Sequence, residues 1–288
     1  MSCLSCPRHC TSRGNGFCGV GEKILVGRIA KHFWEEPIIS GSRGSGTVFF
    51  SGCSLRCVFC QNRVISHECI GKEVTAEELD TRIGKLIDSG VHNINFVTPS
   101  HYALFLAEFL QEHSYPVPIV YNCSGYEDID ALEALRGKVQ IFLPDFKYSD
   151  DALAKCYSTA PHYFETAAKA IRKMYELTGD IELDSKGMLK KGVIVRHLML
   201  PGAVENTLGV IDAFDEISKG KKMLFSLMSQ YTPVGDLTRY PELQRKVSAE
   251  EYEKALNYLQ LLGIDGFCQE LTSAKEIYIP PFSAHLED

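Results

Sequence analysis

The sequence of 288 residues lacks any run of eighteen or more apolar residues, and it lacks a charged segment followed by an apolar one at its start. A membrane-spanning helix needs about 20 apolar residues, and a secretory signal needs both of those segments. These absences predict a cytoplasmic protein with no membrane partner. Basic residues are also few, since 30 lysines and arginines are outnumbered by 37 acidic residues and the net charge is −7. This balance argues against nucleic acid as a partner.

Cysteine, in contrast, is abundant, with 11 residues in the chain. Disulfides are rare in the cytosol, where thiols are kept reduced. Metal or cluster ligation therefore explains the cysteines better, and it predicts sensitivity to oxygen. The hydrophobic content of 45% and the charged content of 23% are ordinary for a globular protein. The length suffices for one barrel-sized domain with a large core.

Three cysteines lie within eight residues, because Cys53, Cys57 and Cys60 follow the spacing C-x3-C-x2-C after the apolar run Thr47-Val48-Phe49-Phe50. Thiolates in so tight a loop can converge on one cubane iron–sulfur cluster. Since a cluster usually takes four cysteines, three leave one iron open to another ligand. Zinc is the alternative, but it prefers paired C-x2-C units and a tetrahedral set, and no matching pair follows. The spacing therefore favours a [4Fe-4S] cluster.

The same loop, with Gly52 before it and Gln61-Asn62 after it, resembles the signature of the radical S-adenosylmethionine (SAM) superfamily. Within that superfamily it is similar to the proteins that activate glycyl radical enzymes, such as pyruvate formate-lyase activating enzyme. The resemblance implies that the open iron binds the amino and carboxylate groups of SAM. Reductive cleavage then gives methionine and a 5′-deoxyadenosyl radical, which abstracts hydrogen from a substrate. It also implies an electron donor such as flavodoxin or ferredoxin as a partner.

A second cysteine group precedes this loop, where Cys3, Cys6, Cys10 and Cys18 follow the spacing C-x2-C-x3-C-x7-C. Four thiolates can complete either a second [4Fe-4S] cluster or a zinc site. The tight spacing of the first three favours a cluster, and unligated thiols in a mobile N-terminus are the remaining alternative. His9 lies inside the group and is either a replacement ligand or a solvated loop residue.

From residue 47 onward, short β-rich segments alternate with amphipathic helices, a pattern typical of parallel β/α units. The predicted fold class is α/β, a partial (β/α)6 barrel as the resemblance to the radical SAM superfamily implies, with an N-terminal cysteine-rich extension. The predicted strands are Thr47–Ser51, Asn93–Thr98, Ile119–Cys123, Gln140–Phe146, Gly192–Leu200 and Met223–Gln230. The predicted helices are Thr75–Ser89, His101–His113, Asp128–Arg136, Pro161–Thr178, Glu205–Ser218 and Ser248–Leu262.

Two regions are expected along the chain. Residues 1–46 form the cysteine-rich extension, with a short strand or hairpin at Lys23–Phe33 and Trp34 as an aromatic lid. This region ends in a linker at Pro37–Gly46, which is rich in serine and glycine. Residues 47–288 form the barrel, and the stretch from Gly266 onward is expected to close its open side.

Chemistry in β/α barrels lies at the carboxyl ends of the strands. The third predicted strand ends at Asn122 and Ser124, which the resemblance assigns to the ribose or the carboxylate of SAM. The fourth ends in Asp145-Phe146-Lys147, similar to an Asp-x-Lys motif of the activating proteins, and alternation points both charges to one face. Lys147 is then the first candidate partner of the SAM carboxylate, with Asp145 holding a cation or orienting that lysine. A plain salt bridge is the alternative.

The other strand ends are less similar to the family. Arg196 lies in an apolar run and needs an anionic partner, which makes it the second candidate for the SAM carboxylate. Gln230 and Tyr231 follow the sixth strand and are candidates for contact with adenine or substrate, with a core tyrosine as the alternative for Tyr231. The second strand ends in Thr98-Pro99-Ser100 and carries no carboxylate where the activating proteins have a Gly-Gly-Glu motif.

Together these residues predict a radical SAM oxidoreductase that takes hydrogen from a glycyl residue of a partner enzyme or from a small-molecule or peptide substrate. An activating protein needs an open barrel mouth. A small-molecule enzyme is expected to bury its substrate under the N-terminal cysteine group or Trp34. The alternative from another class is a non-catalytic iron–sulfur or zinc-binding redox or scaffold protein on the same barrel.

Overall fold

The computed structural model describes residues 2–271 except 13 and 15, together with residue 282. In this part of the chain the strands form a ten-stranded sheet. The strands are β1 (Leu25–His32), β2 (Ser45–Phe50), β3 (Lys72–Glu73), β4 (Ile94–Val97), β5 (Ile119–Cys123), β6 (Ile141–Pro144), β7 (Glu182–Leu183), β8 (Leu189–Leu198), β9 (Leu224–Met228) and β10 (Gly266–Cys268). The helices are α1 (Pro37–Ser40), α2 (Arg63–Ser66), α3 (Ala76–Asp88), α4 (Ala103–Glu112), α5 (Ile129–Ala134), α6 (Asp151–Ser158), α7 (Tyr163–Thr178), α8 (Val204–Ser218) and α9 (Ala249–Leu262), with 3₁₀ turns at Ser100–Tyr102 and Pro241–Gln244.

Parallel strands make up the centre of the sheet. Among the described residues their order is β2-β4-β5-β6-β8-β9-β10, and each pairs in parallel with the next. The antiparallel strands are additions, since β1 pairs with β2, β3 with β1 and β7 with β8. Because the crossovers return each strand to the same direction, the carboxyl ends of the parallel strands meet at one end of the sheet. The predicted α/β fold is confirmed, and a strand overlaps each of the six segments predicted to be strands.

Both faces of the sheet are apolar, because successive residues of a buried parallel strand point to opposite sides. On the face that the longer helices cover, Tyr121 of β5 and Phe142 of β6 belong to the large core. On the inner face, Val120 and Ile194 form a separate cluster with Ile39 of α1. The N-terminal segment therefore reaches into the barrel and fills part of its interior.

Residues 37–46, predicted from composition to be a linker, are structured instead. They form α1 and the first residues of β2, and Ile39 is fully buried. In β2, residues 45–50 pair with β1. The boundary predicted between residues 46 and 47 therefore falls within a strand. The prediction of a linker took Gly46 as a sign of flexibility. In the structure this glycine allows close packing, because a Cβ atom there would lie 2.9 Å from the Ile94 side chain. The division into two domains stays a prediction.

The helices agree with the predicted pattern, and two short helices that were not predicted, α2 and α6, contact the cysteine loop. Thr75 caps α3 by accepting a hydrogen bond from the Glu78 amide at 3.2 Å, as predicted. Helix α6 was not predicted, and it begins after Asp150, whose side chain accepts a hydrogen bond from the Ala152 amide. This helix ends at Ser158 and so brings a hydroxyl to the cysteine loop.

The stretch from Gly266 onward was predicted to close the open side of the barrel. β10 extends the sheet beside β9, and Phe282 packs edge-on against Phe49 at 5.5 Å between ring centroids. Residues 272–281 and 283–288 of this stretch lie outside the described residues. Every helix in the described part of the chain is too short or too polar to span a membrane.

Candidate active site

A cleft with about 230 Å³ of free volume lies at the carboxyl ends of the parallel strands. Its walls come from the cysteine loop after β2, from the ends of several strands, and from the segment between β1 and α1, which contributes Trp34 and Glu35. The cleft brings together most of the predicted site residues, namely Cys53, Cys57, Cys60, Asn122, Ser124, Asp145, Lys147, Arg196 and Gln230.

The cysteine loop places its three thiols on one wall of this cleft. Cys57 accepts a hydrogen bond from the Ser158 hydroxyl at 2.9 Å, and Cys60 accepts one from the Ser66 hydroxyl at 3.2 Å. Burial raises the pKa of Cys57 to about 12, and the neighbouring thiols of Cys53 and Cys60 also raise it. The three thiols are therefore close enough to influence one another electrostatically.

The donor set fits an iron–sulfur cluster. In residues 2–271 apart from 13 and 15, no three cysteine, histidine, aspartate or glutamate side chains are close enough to share a single metal ion. These residues suit a cluster because the three thiols share one cleft and because hydroxyl groups donate to two of the sulfurs. Such hydrogen bonds tune the thiolates of iron–sulfur clusters. Because iron must displace a proton from each thiol, burial of the free thiols makes cluster binding depend on pH.

A buried charge network lies beside the thiols, with Arg196 at its centre. The Arg196 Nε donates to Asp145 Oδ1 at 3.0 Å, and Nη1 donates to Glu35 Oε2 at 2.9 Å. The Nη2 donates to Asn122 Oδ1. Only 12% of the Arg196 side chain and 9% of the Glu35 side chain are exposed. These ion pairs are therefore poorly screened by solvent, and each partner depends on the other.

Glu35 is a site residue that sequence reasoning missed. Its Oε1 accepts hydrogen bonds from Asn95 Nδ2 at 3.0 Å and from Asn122 Nδ2 at 3.1 Å. Burial raises the pKa of Glu35, and the charge of Arg196 opposes that rise. Glu35 belongs to no barrel strand and no motif, so neither alternation nor spacing pointed to it. It nevertheless supplies a carboxylate to a cleft in which the end of β4 has none.

Lys147 forms a third buried ion pair in the cleft. Its Nζ donates to Asp145 Oδ2 at 2.6 Å. Burial by itself would lower the pKa of Lys147, but the charges of Asp145 and Cys57 more than offset this, and the pKa is raised. An ammonium group has three donors. Lys147 is therefore a permanent cation beside the cysteine loop with donors left for a ligand.

The structure does not bring Tyr231 into the cleft. Its hydroxyl donates to the Leu243 carbonyl at 2.7 Å, and its ring packs against Phe59. Gln230 lines the cleft instead. Consecutive residues at the end of a strand tend to face opposite sides, so only one of the two was able to serve as a contact. The structure thus places Tyr231 in the core, which was the alternative to a contact with adenine or substrate.

The four N-terminal cysteines share a cavity of their own. Cys3, Cys6, Cys10 and Cys18 line about 110 Å³ of space together with His101. Burial raises the pKa of Cys6 to about 12, and the charges of Cys3 and Cys18 also raise it. The thiols that the sequence grouped by spacing are thus together in the fold.

This N-terminal group lies against the outer side of the cysteine loop. The Arg8 Nε donates to the Ser54 carbonyl at 2.8 Å, and its Nη1 donates to the Thr159 carbonyl at 2.9 Å. None of the described residues between 2 and 24 lines the cleft. The contribution of the N-terminal region to the cleft comes from His32, Trp34 and Glu35.

A family comparison decides what this arrangement is. The sequence model of the Radical SAM superfamily matches residues 47–210, which run from β2 into α8 and include the cysteine loop and the charge network around Asp145, Lys147 and Arg196. The chain belongs to the radical SAM superfamily. Membership in this superfamily implies a [4Fe-4S] cluster, SAM and an enzymatic reaction that needs a reductant.

This radical SAM protein is similar, at low sequence identity, to one curated protein and to several solved structures. It is 28% identical over 276 residues to the uncharacterized protein MJ0674 of Methanocaldococcus jannaschii, covering 92% of this chain and 76% of the relative. The fold is similar to that of methylornithine synthase (PylB), with a TM-score of 0.52, 14% identity, and coverage of 84% of this chain and 75% of the other. A domain of pyruvate formate-lyase-activating enzyme from Bacteroides vulgatus gives a TM-score of 0.42 at 13% identity, covering 59% of this chain and 92% of the domain. The likeness to methylornithine synthase shows the shared barrel.

The hydrogen bond from Ser158 to Cys57 gives a first testable prediction for this radical SAM protein. Hydrogen bonds to cluster sulfurs stabilise the reduced, more negative state and raise the reduction potential. Ser158 is oriented for this bond, since its hydroxyl also contacts the Tyr148 hydroxyl at 2.6 Å. Ser158→Ala is therefore expected to shift the midpoint potential of the cluster to a more negative value, measured by redox titration with EPR detection.

The matched control for this prediction is Thr178→Ala. Thr178 also has a buried hydroxyl, but it donates to the Met174 carbonyl within α7. This control is expected to leave the potential unchanged. An unchanged or more positive potential in Ser158→Ala, at full iron content, contradicts the role given to the hydrogen bond.

Proposed function

We propose that the protein reductively cleaves SAM at a [4Fe-4S] cluster held by Cys53, Cys57 and Cys60, and that it abstracts hydrogen from a substrate bound in the same cleft. One observation supports this most directly: the three thiols line one cleft together with the buried cation Lys147. When bound, the cluster and SAM together supply a one-electron cleavage that yields a hydrogen-abstracting radical. The residues of this chain bind and orient the two cofactors.

The contacts of the two cations separate their proposed roles. Lys147 has a single carboxylate partner among the described residues, Asp145, and is proposed to bind the SAM carboxylate through its remaining donors. Every nitrogen of the Arg196 guanidinium donates to a protein acceptor. We therefore assign Arg196 to holding Asp145 and Glu35 in place rather than to direct SAM contact.

The remaining contacts are proposed from their position in the cleft. Ser124 and Gln230 line it and carry polar side chains suited to ribose or adenine. Asn122 is engaged by Arg196 and Glu35, so its proposed role is to support this wall.

For the substrate, we favour a small molecule or a peptide. Trp34 and Glu35 line the cleft from the segment between β1 and α1, and Ile39 fills the barrel interior beyond them. The cleft, with a free volume of about 230 Å³, has to admit the cluster and SAM as well as the reacting part of the substrate. A compact reacting group fits this space better than a long loop of a partner protein.

A glycyl residue of a partner enzyme is the second candidate. It is favoured by the position of the N-terminal cysteine group, because the described residues 2–24 lie outside the cleft and do not cover it. The proposal includes a cytoplasmic, oxygen-sensitive protein, a donor such as flavodoxin or ferredoxin, and neither nucleic acid nor a membrane as a partner.

The test uses the full chain, reconstituted anaerobically with iron and sulfide and reduced with dithionite in the presence of SAM. We expect 5′-deoxyadenosine and methionine, detected by mass spectrometry. If SAM binds but neither product forms, the non-catalytic iron–sulfur or zinc alternative is favoured. Deuterium from a labelled small molecule or peptide in 5′-deoxyadenosine supports the first substrate class. A glycyl radical EPR signal in an added partner enzyme supports the second.

A further inference from the structure

We propose that Cys3, Cys6, Cys10 and Cys18 hold a second iron–sulfur cluster that serves as the electron entry site for the cluster on Cys53, Cys57 and Cys60. This inference rests on the proposed function, since it concerns how the reducing electron reaches the SAM cleft. It assigns a role to an N-terminal cysteine group that neither the fold nor the cleft requires.

The two cysteine groups are in direct backbone contact. Gly52 immediately precedes Cys53 and has a φ of +81°, a conformation that glycine adopts readily. A Cβ atom added to Gly52 would lie 2.7 Å from the Cys18 carbonyl oxygen and 2.5 Å from a methyl carbon of Val20. No side chain fits between the two loops at this point. A ligand residue of the N-terminal group therefore touches the residue next to a ligand of the cleft.

A buried histidine joins the same two groups. His101 lines the cavity of the N-terminal cysteines, and its Nε2 bonds to the Ser51 carbonyl at 2.8 Å. Its Nδ1 is buried and has no hydrogen-bond partner among the described residues. The ring thus extends from the cavity wall to the backbone that leads into Cys53. Electron transfer rates fall steeply with distance, so a contact wall of one backbone and one imidazole favours rapid transfer.

Exposure gives the direction of this transfer. Cys3, Cys10 and Cys18 are partly exposed, and Leu4 beside them is 55% exposed. Of the cleft cysteines, Cys53 and Cys57 are buried, and Cys60 is partly exposed where it lines the cleft. A donor protein can approach the N-terminal group from solvent, whereas SAM and substrate occupy the space in front of the loop. The surface group is therefore the accessible point of entry.

The step transfers one electron and breaks no bond. A reduced donor protein of the flavodoxin or ferredoxin class loses one electron to the N-terminal cluster. The N-terminal cluster then passes one electron to the cleft cluster and returns to its oxidised state. Zinc cannot replace this cluster, because it has no accessible redox change. The metal content of the N-terminal group is therefore part of the test.

The experiment compares two double variants of the anaerobically reconstituted full chain. Cys6→Ser/Cys10→Ser removes two ligands of the proposed entry cluster. Cys156→Ser/Cys268→Ser removes two exposed thiols outside both groups and is the matched control. Each protein is mixed rapidly with reduced flavodoxin. The reduction of its cleft cluster is then monitored by EPR on frozen samples. Iron, sulfide and zinc are counted in each protein.

We expect Cys6→Ser/Cys10→Ser to lose half of the iron and sulfide and the fast phase of reduction by flavodoxin. Cleavage of SAM driven by dithionite, a small reductant, is expected to persist, and the control is expected to match the wild type. Zinc instead of iron at the N-terminal group, or a fast phase that survives its removal, overturns the proposal. Dithionite-driven cleavage in the wild type reports separately on the proposed function, so the two failures are distinguishable.

A second variant keeps the test decisive if the double variant loses the cleft cluster as well. His101→Leu removes the ring between the two groups, and His197→Leu is its control. Both histidines are buried with a pKa lowered to about 4 by burial, but His197 bonds to Phe146 and Thr207 on the helix-covered side. We expect only His101→Leu to lose the fast phase at unchanged iron content. Retention of the fast phase in His101→Leu contradicts the proposed connection.

Discussion

Cys57→Ala is expected to abolish SAM cleavage. Cys57 is one of three cysteines available to the cleft cluster, it is buried, and its sulfur is held by the Ser158 hydroxyl at 2.9 Å. A cluster with one cysteine ligand missing has a second open iron and binds weakly. The expected result is loss of the iron of the cleft cluster and of all 5′-deoxyadenosine formation, measured by iron analysis and mass spectrometry.

Cys156→Ala is the matched control for this experiment. Cys156 lies in α6, one residue before Tyr157, and is exposed to solvent outside the cleft. Its removal is expected to change neither the iron content nor the rate of cleavage. Cleavage at the wild-type rate in Cys57→Ala would show that this thiol is not a ligand and would reopen the assignment of the loop.

Features encoded by neighbouring residues were predictable from the sequence. The C-x3-C-x2-C spacing places three thiols in one loop whatever the rest of the chain does. Alternation within a strand places Asp145 and Lys147 on one side, and the structure joins them in an ion pair at 2.6 Å. Arg196 was expected to need an anion because it lies in an apolar run. In the structure Arg196 forms ion pairs with Asp145 and Glu35.

Features that join distant segments were not predictable in this way. Glu35 reaches Arg196 across 161 positions of the sequence, and it lies between the predicted hairpin and the predicted linker, in no predicted element. Ser158 reaches Cys57 across 101 positions and comes from a helix of only eight residues that the sequence analysis did not predict. In both cases the partner is determined by how the N-terminal segment and α6 pack on the barrel, and a single sequence does not display that packing.

Arg196→Met is expected to destabilise the protein by about 3–5 kcal/mol, because removing one partner of a buried ion pair leaves the other charge without compensation. Glu35 and Asp145 both lose their pairing with the guanidinium, and Asn122 loses a donor. Methionine retains much of the side-chain volume, so the effect reports on charge rather than on a cavity. The measurement is the midpoint of urea unfolding, compared with the wild type at matched cluster content.

Arg245→Met is the control for this stability effect. Arg245 pairs with Glu251 at 2.6 Å, but 49% of its side chain is exposed, and exposed pairs contribute only about 0–1 kcal/mol. If both variants unfold at the same urea concentration, the buried network does not contribute to stability as argued.

A double variant identifies which unpaired charge causes the loss. Glu35→Gln/Arg196→Met removes the carboxylate that the single variant leaves buried, while glutamine can still accept hydrogen bonds from Asn95 and Asn122. Because contacting residues couple by about 0.5–3 kcal/mol, the double variant is expected to be more stable than Arg196→Met alone. If it is only as stable as Arg196→Met, the cost lies with Asp145, whose other partner is Lys147. In that case the segment between β1 and α1 is held in the barrel by packing at Ile39 rather than by charge.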